Sequence, residues 1–179
     1  MNTVTNRFTK SYYYKDVPSP IGGLRLVASD DGLSAILWEN EKADAKRVPL
    51  NIVGEDNSHP ILIQTERQLG EYFSGQRKRF DVKMDFAGTD FQNKVWEALL
   101  SIPFGETRTY GDIARQIGNP RSIRAVGGAS NKNPIAIIAP CHRVVGASGD
   151  LTGFAGGLKA KAQLLALEGL NGFRHKAAA

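Results

Sequence analysis

The residue pair best suited to covalent chemistry is Cys141 and His142, adjacent in the segment Pro-Cys-His-Arg-Val-Val at 140–145. A cysteine reacts as the thiolate, and a neighbouring base raises the thiolate fraction. A carboxylate behind that base, such as Glu168, would orient it. Neighbours on an extended strand point to opposite faces, so the pair can cooperate only if the backbone turns here or water bridges them. An inert buried cysteine is the alternative, because free cysteine is among the most buried residue types.

The residues in front of this segment outline a helix-turn-helix. Thr109 predicts the cap of a first helix, and Asn119-Pro120 predicts the N-cap and first residue of a second, from Arg121 to about Ser130. The second helix is rich in glycine and alanine, with Arg121 and Arg124 as its long side chains. That composition suits a close approach to DNA, with an arginine inserted where a base stood. Two packed helices with surface arginines are the alternative interpretation.

The residue pattern changes from mainly strand-like to mainly helical between Phe86 and Asp90, which predicts two domains, 1–88 and 89–179. The first is expected to be a small strand-rich α/β domain, and the second a mostly helical domain that carries the helix-turn-helix. The predicted fold class is therefore α+β.

Individual elements follow from local signals. In the first half, a hairpin is predicted at Asp31-Gly32, a helix from His59 to Gly75 and a half-buried strand at 79–86. In the second half, the apolar run at 135–140 predicts a buried strand, and residues 157–169 predict the last helix.

Charge and cysteine content narrow the class of protein. Residues 1–88 carry 12 Lys/Arg and 12 Asp/Glu, whereas residues 89–179 carry 11 and 6, so the whole net charge of +5 lies in the second half. A basic half favours a polyanionic partner such as nucleic acid. The single cysteine excludes an internal disulfide, argues against a zinc site and fits a reducing cytoplasm. No apolar run is long enough for a membrane span, so we expect a cytoplasmic protein, by default a monomer.

The motifs themselves resemble one family. The 140–145 segment, preceded by Arg-Ala-Val-Gly-Gly at 124–128 and Asn133-Pro134, is similar to the O6-alkylguanine-DNA alkyltransferases, also called methylated-DNA–protein-cysteine methyltransferases. The likeness extends over 89–171 and is looser in the first half. It implies repair of double-stranded DNA containing O6-alkylguanine, and also O4-alkylthymine, by irreversible transfer to Cys141, once per molecule and without a cofactor or metal.

The resemblance also implies a role for each matching residue. Cys141 would accept the alkyl group, activated through water by His142, which Glu168 polarises. Asn133 would be the hinge between the recognition helix and the active-site strand, and Tyr110 would press on a phosphate to rotate the nucleotide out. The remaining implied residues fall into two sets: the DNA surface, with Arg124 as the inserted finger beside Arg121, Ala125, Gly127 and Ser130, and the base pocket, with Phe154, Ala155, Gly156, Lys161 and Val144.

Departures from the family pattern affect the pocket. Phe154 stands where many relatives have tyrosine, Ala139 interrupts the usual branched run, and Ala136 replaces a proline of some relatives. A roomier pocket that accepts alkyl groups larger than methyl is therefore a hypothesis. The alternatives in other functional classes are a helix-turn-helix sensor of alkylated DNA that performs no transfer, and a thiol hydrolase with repeated turnover.

Five further residues receive structural interpretations. Arg143 is expected in an ion pair, Trp38 and Trp96 in the core, and His59 and His175 on the surface.

Overall fold

The first unit of the chain is built on a four-stranded sheet. The computed structural model describes residues 10–39, 41 and 48–173, and the chain divides into two units, 1–89 and 90–179. The strands are β1 (Tyr12–Val17), β2 (Leu24–Ser29), β3 (Gly32–Trp38) and β4 (Ile52–Glu55), in the order β3-β2-β1-β4. Pairing is antiparallel except between β1 and β4. With a strand-rich first unit and a helical second one, the predicted α+β class is confirmed.

The predicted hairpin joins β2 to β3. Ser29 pairs with Gly32, so the two-residue turn is Asp30-Asp31 and Gly32 already belongs to the strand. A Cβ at Gly32 would lie 2.8 Å from the carbonyl oxygen of Lys83, which explains why the smallest residue is needed there.

The predicted strand at 79–86 is wrong. Its backbone makes a single bridge to the sheet, between Leu33 and Met84. At Asp81 the side chain of Gln68 makes the hydrogen bonds that a neighbouring strand would otherwise make. Its amide accepts from the Asp81 N–H at 2.8 Å and donates to the Asp81 carbonyl at 3.0 Å. The sequence alternates as a half-buried segment should, but its backbone groups are satisfied from a helix.

That helix is α1 (Pro60–Phe73), close to the predicted 59–75, and it packs on the sheet. His59 is its N-cap, and its Nδ1 accepts from the N–H of Ile61 at 3.3 Å. The His59 side chain is 7% exposed, so the expectation of a surface residue is wrong. His175 lies outside the described residues.

The second unit is mainly helical. Its helices are α2 (Asp90–Leu100), α3 (Tyr110–Gln116), α4 (Ile123–Asn131) and α5 (Leu158–Leu167). Helices α2, α3 and α4 pack against one another, and Trp96 of α2 donates to the carbonyl of Ala129 at 2.9 Å. A short parallel pair, β5 (Arg108–Thr109) and β6 (Val144–Val145), joins the start of α3 to the segment that follows Cys141. Trp96 and Trp38 are both buried, as predicted.

The turn between α3 and α4 differs from the prediction. The expected capping box at Thr109 is present, and Gly118 after α3 takes φ +79°, a value that suits glycine. Asn119, however, is not an N-cap. Its carbonyl accepts from the N–H of Ser122 at 3.0 Å, so residues 119–122 form a turn and α4 begins two residues later than expected, at Ile123.

The predicted buried strand at 135–140 is also wrong, although the segment is buried. Two of its N–H groups bond within the segment, that of Ala139 to the carbonyl of Ile135 and that of Ile138 to the carbonyl of Ala136, each at 2.9 Å. Ile137 has φ +74°, which is rare and strained for a β-branched residue. Burial of every side chain in this run explains its apolar composition without a strand.

In the part of the chain that the structure describes, none of the helices is both long and apolar enough to cross a membrane.

Candidate active site

Cys141 lies at the start of a single 3₁₀ turn, Cys141–Arg143. The N–H of Arg143 bonds to the carbonyl of Pro140 at 2.9 Å and closes this turn. The backbone thus bends where the sequence required a bend for Cys141 and His142 to cooperate. The cysteine is 8% exposed and His142 is fully buried, so the thiol lies at the edge of a dry environment.

His142 is paired with Glu168, the C-cap residue directly after α5. Its Nε2 lies 2.6 Å from Oε2 of Glu168, and both side chains are fully buried. Burial lowers the pKa of His142 below its usual value, which favours the neutral ring. Because the carboxylate accepts a hydrogen bond, a neutral ring carries its proton on Nε2. Nδ1 then has a lone pair, and it is a buried atom without a hydrogen-bond partner among the described residues.

Glu168 receives further donors from other parts of the unit. Arg143 donates from Nε to Oε1 at 2.7 Å and from Nη2 to Oε2 at 3.2 Å, and the N–H of Gly105 donates at 3.0 Å. The Nη1 of Arg143 reaches the carbonyl of Ile102 at 2.6 Å. The ion pair expected for Arg143 is confirmed, and it fixes the carboxylate that orients His142.

Asn133 connects the end of α4 to the buried turns before the cysteine. Its Nδ2 donates to the carbonyl of Ala139 at 2.7 Å, and its Oδ1 accepts from the N–H of Ile135 at 3.1 Å. The side chain is 1% exposed. It therefore ties α4 to the segment that holds Cys141, although that segment is a series of turns.

Lys161 of α5 is fully buried and binds two carbonyl oxygens. Its Nζ donates to Val144 at 2.6 Å and to Thr152 at 2.8 Å. Burial lowers the pKa of Lys161 to about 8, and the nearby Cys141 opposes that shift. The lysine thus fastens β6 to the loop that precedes α5.

Tyr110, the first residue of α3, reaches the same loop. Its hydroxyl lies 2.7 Å from Oγ1 of Thr152, and its ring faces Gly127 of α4, where a Cβ would lie 3.9 Å from the ring. Burial raises the pKa of Tyr110, so the phenol is neutral at physiological pH.

The residues predicted to contact DNA differ in exposure. Arg121, Arg124 and Ala125 are exposed, and Gly127 is half-buried. Ser130 is 4% exposed, which places it in the interior and removes it from the expected DNA surface. Gly128, one turn after Arg124, is exposed instead, and a Cβ there would meet nothing outside its own helix backbone within 4 Å.

The predicted pocket loop lies just before α5. Phe154 and Gly156 are half-buried and Ala155 is exposed. The carbonyl of Phe154 accepts from the N–H of Gly157 at 2.9 Å, which makes this loop a tight turn. Among the described residues, no three His, Cys, Asp or Glu side chains are grouped as a metal ion would require.

Family comparisons agree with this geometry in both units. The 6-O-methylguanine DNA methyltransferase DNA binding domain matches residues 90–170, and the ribonuclease-like domain of the same proteins matches residues 11–86. The chain belongs to the 6-O-methylguanine DNA methyltransferase family.

Relatives of this methyltransferase family are similar over nearly their whole length. The methylated-DNA–protein-cysteine methyltransferase of Methanosarcina acetivorans is 50% identical over 157 residues, which is 88% of this chain and 98% of the relative. The crystal structure of the Mycobacterium tuberculosis O6-methylguanine methyltransferase is 46% identical with a TM-score of 0.78, over 88% of this chain and 92% of that one. Mycobacterium tuberculosis OGT in complex with DNA has the same identity and coverage, with a TM-score of 0.77.

Sequence reasoning missed three contributors to the site of this methyltransferase family member. Thr152 binds Tyr110 through its side chain and Lys161 through its backbone, and the backbone groups of Gly105 and Ile102 complete the surroundings of Glu168 and Arg143. Hydrogen bonds to backbone groups cannot be predicted from residue types. A threonine in a glycine-rich loop is equally typical of a turn, so no signal in the sequence identified it.

Proposed function

We propose that this chain repairs double-stranded DNA by transferring an alkyl group from O6 of guanine to Sγ of Cys141, once per molecule. The observation that carries this proposal is the buried His142–Glu168 pair directly beside the single cysteine. Family membership supports it, because similar proteins are named as methyltransferases that act on methylated DNA and a protein cysteine. The same names favour transfer over a sensor that only binds alkylated DNA.

The acid–base arrangement suits one displacement. A neutral His142 with its proton on Nε2 offers Nδ1 as the base, and we expect a water molecule to carry the thiol proton of Cys141 to it. The thiolate then attacks the alkyl carbon. The new sulfur–carbon bond forms as the bond between that carbon and O6 breaks, and the released electron pair stays on the base.

The reaction balances without any further reagent. The proton taken from the thiol ends on the guanine, so the products are an unmodified guanine and a thioether on Cys141. Cleavage of the thioether would have to expel the Cys141 thiolate, a poor leaving group, from the alkyl carbon, and the pair of His142 and Glu168 supplies nothing that would bring this about. We therefore expect one alkyl group per protein molecule.

Access to the base requires that the nucleotide leave the duplex, because O6 inside the stack cannot be reached in line. We assign DNA binding to the exposed face of α4, with Arg124 as the residue that enters the duplex and Arg121 on the adjacent phosphates. Tyr110 would act on the phosphate of the rotated nucleotide, and Ala125 and Gly127 allow the helix to approach closely. Asn133 would transmit the position of α4 to the cysteine segment.

For the base pocket we propose Phe154, Ala155 and Gly156 as the loop wall, with Lys161 and Val144 behind the base. The phenylalanine at position 154 offers no hydroxyl to the base. We propose O4-alkylthymine and alkyl groups larger than methyl as further substrates. Transfer from O6-benzylguanine at a rate negligible beside that of O6-methylguanine would contradict the larger pocket.

The surroundings of the protein follow from the chemistry. The thiol must stay reduced, so we propose a cytoplasmic location. We also propose that the protein acts as a monomer and needs no metal or cofactor. Residues 1–88 are proposed as a structural domain and residues 89–179 as the domain for DNA binding and transfer.

The test is the intact mass of the protein after incubation with an excess of duplex that contains O6-methylguanine. We expect one added methyl group per molecule, which peptide mapping places on Cys141. The Cys141→Ala variant and the unmodified duplex serve as controls and should show no added mass. An unchanged mass despite tight binding to the lesion would contradict transfer and favour a sensor.

A further inference from the structure

Four segments around the cysteine are joined into a closed ring of hydrogen bonds, which we name the clamp. Strand β5 pairs with β6, Val144 of β6 accepts from Lys161, and Lys161 also donates to the carbonyl of Thr152. The Thr152 hydroxyl bonds to Tyr110, which directly follows β5 in the chain. The ring therefore closes through Thr109 and Tyr110, with Cys141 three residues before β6.

One link of the clamp differs from the rest. The β5–β6 ladder and both bonds of Lys161 end on backbone carbonyls, whereas the link between Tyr110 and Thr152 joins two side-chain hydroxyls. Each hydroxyl can donate or accept. This link holds Tyr110, a residue whose position our proposed function already makes important for the rotated nucleotide.

We infer that Thr152 is a positioning residue for alkyl transfer, which holds the Tyr110 hydroxyl at a fixed place. This inference rests on the proposed function. Thr152 touches neither the base nor the alkyl group in this scheme, and it acts only through Tyr110. Its loss leaves Lys161 and the β-pairing in place, so the fold of the unit persists while Tyr110 gains freedom.

The structural surroundings favour this role over a simple loop contact. Gly127 of α4 presents no side chain to the Tyr110 ring, and a Cβ there would still lie 3.9 Å from it. Because α4 does not grip the ring, the hydroxyl contact with Thr152 decides where the end of the side chain points. Thr152 itself is anchored by its backbone to a fully buried lysine, which makes it a firm support. A firm support on a side chain that must meet a nucleotide is what preorganisation requires.

The experiment measures single-turnover transfer from duplex O6-methylguanine at increasing protein concentration, which separates the limiting rate from half-saturation. The variants are Thr152→Val, which is similar in shape but lacks the hydroxyl, Thr152→Ser, Tyr110→Phe and the double variant. Ser148→Ala is the matched control, because it removes an exposed hydroxyl that bonds to Asp150 in the same loop.

We expect Thr152→Val to lower the limiting rate about 2- to 12-fold, the range of one hydrogen bond, with half-saturation unchanged. Thr152→Ser should restore the rate, and Ser148→Ala should leave it unchanged. Thr152→Val should cause no further loss when Tyr110 is already phenylalanine, because Thr152 acts through the Tyr110 hydroxyl. Equal losses in both backgrounds, no loss at all, or a serine variant as slow as valine would each overturn the inference.

A second readout does not depend on transfer. The hydrogen bond from Thr152 opposes the effect of burial on the pKa of Tyr110, so Thr152→Val should raise that pKa further. Ultraviolet titration, with Tyr110→Phe subtracted to isolate this tyrosine among the five in the chain, measures it. A wild-type protein that transfers no alkyl group would overturn the proposed function, whereas an unchanged Tyr110 titration in Thr152→Val would overturn the hydrogen bond on which this inference depends.

Discussion

The buried contacts of Arg143 make a strong prediction for Arg143→Lys. The guanidinium donates twice to Glu168 and once to the carbonyl of Ile102, and the side chain is 7% exposed. Lysine keeps the positive charge but cannot reproduce the planar, two-pronged geometry. The variant therefore leaves the Glu168 carboxylate and the Ile102 carbonyl short of partners in the interior.

Removing part of a buried ion pair costs about 3–5 kcal/mol, and a retained charge lessens that cost. We therefore expect Arg143→Lys to lower the free energy of unfolding of the second unit by about 3 kcal/mol. The matched control is Arg108→Lys. Arg108 pairs with Glu106 at 3.2 Å, but these side chains are 36% and 52% exposed. An exposed pair contributes about 0.2–1 kcal/mol, so this variant should change little.

Urea unfolding followed by tryptophan fluorescence measures the difference. Trp38 lies in the first unit and Trp96 in the second, so a Trp38→Phe background assigns the signal to Trp96. With a urea dependence of about 1–3 kcal/mol per molar, the loss in Arg143→Lys moves the midpoint down by about 1–3 M. Equal midpoints for Arg143→Lys and Arg108→Lys would refute the reasoning, because they would mean that burial adds nothing to this pair.

Two further predictions concern α4 and the buried lysine. Gly128→Ala should raise the free energy of unfolding by about 1 kcal/mol, as for any exposed helical glycine. It should nevertheless weaken binding of duplex DNA roughly fivefold or more, because the added methyl group crowds α4 against the DNA backbone. Gly70→Ala, in the equally open α1, is the control that should stabilise without changing the binding isotherm, and unchanged DNA binding by Gly128→Ala would contradict the proposed surface. Lys161 has a pKa of about 8 when folded and a usual value of 10.5, so between those pH values the unfolded chain binds more protons and stability rises with pH. Urea midpoints between pH 8 and 10.5 should therefore rise more in the wild type than in Lys161→Met, and parallel curves would contradict the assignment.

Signals that reside in short stretches of sequence predicted the fold well. The hairpin between β2 and β3 and the capped start of α3 depend on neighbouring residues, and the structure has both. The strand expected at 79–86 failed because Gln68, from a helix, satisfies the backbone of Asp81. Alternation reports which side chains are buried, and it does not identify the partner of the backbone.

In the candidate site, too, the candidate residues could be predicted from the sequence but some of their partners could not. Residue types predicted a candidate nucleophile, base and carboxylate, and the structure brings His142 and Glu168 into contact across 26 residues of sequence. The pairing itself came from the resemblance, since spacing alone does not specify it. The contributions of Thr152 and of the Ile102 carbonyl could not be predicted from the sequence, because they arise from the path of loops that no periodicity describes. His59 was misjudged for a related reason: a polar ring serves as a helix cap in the interior.

Ile137 gives the packing around the cysteine a significance beyond stability. A β-branched residue in a left-handed conformation costs on the order of 1–3 kcal/mol, and it persists only where its surroundings leave no other arrangement. The buried side chains of 135–139 provide those surroundings, and Ile137 lies four residues before Cys141. In the proposed mechanism, the position of the Cys141 sulfur therefore depends partly on apolar residues that take no part in the reaction. Because the position of Cys141 depends on this packing, we expect an exchange of aliphatic side chains at 135–139 to change the rate of alkyl transfer as well as the stability of the unit.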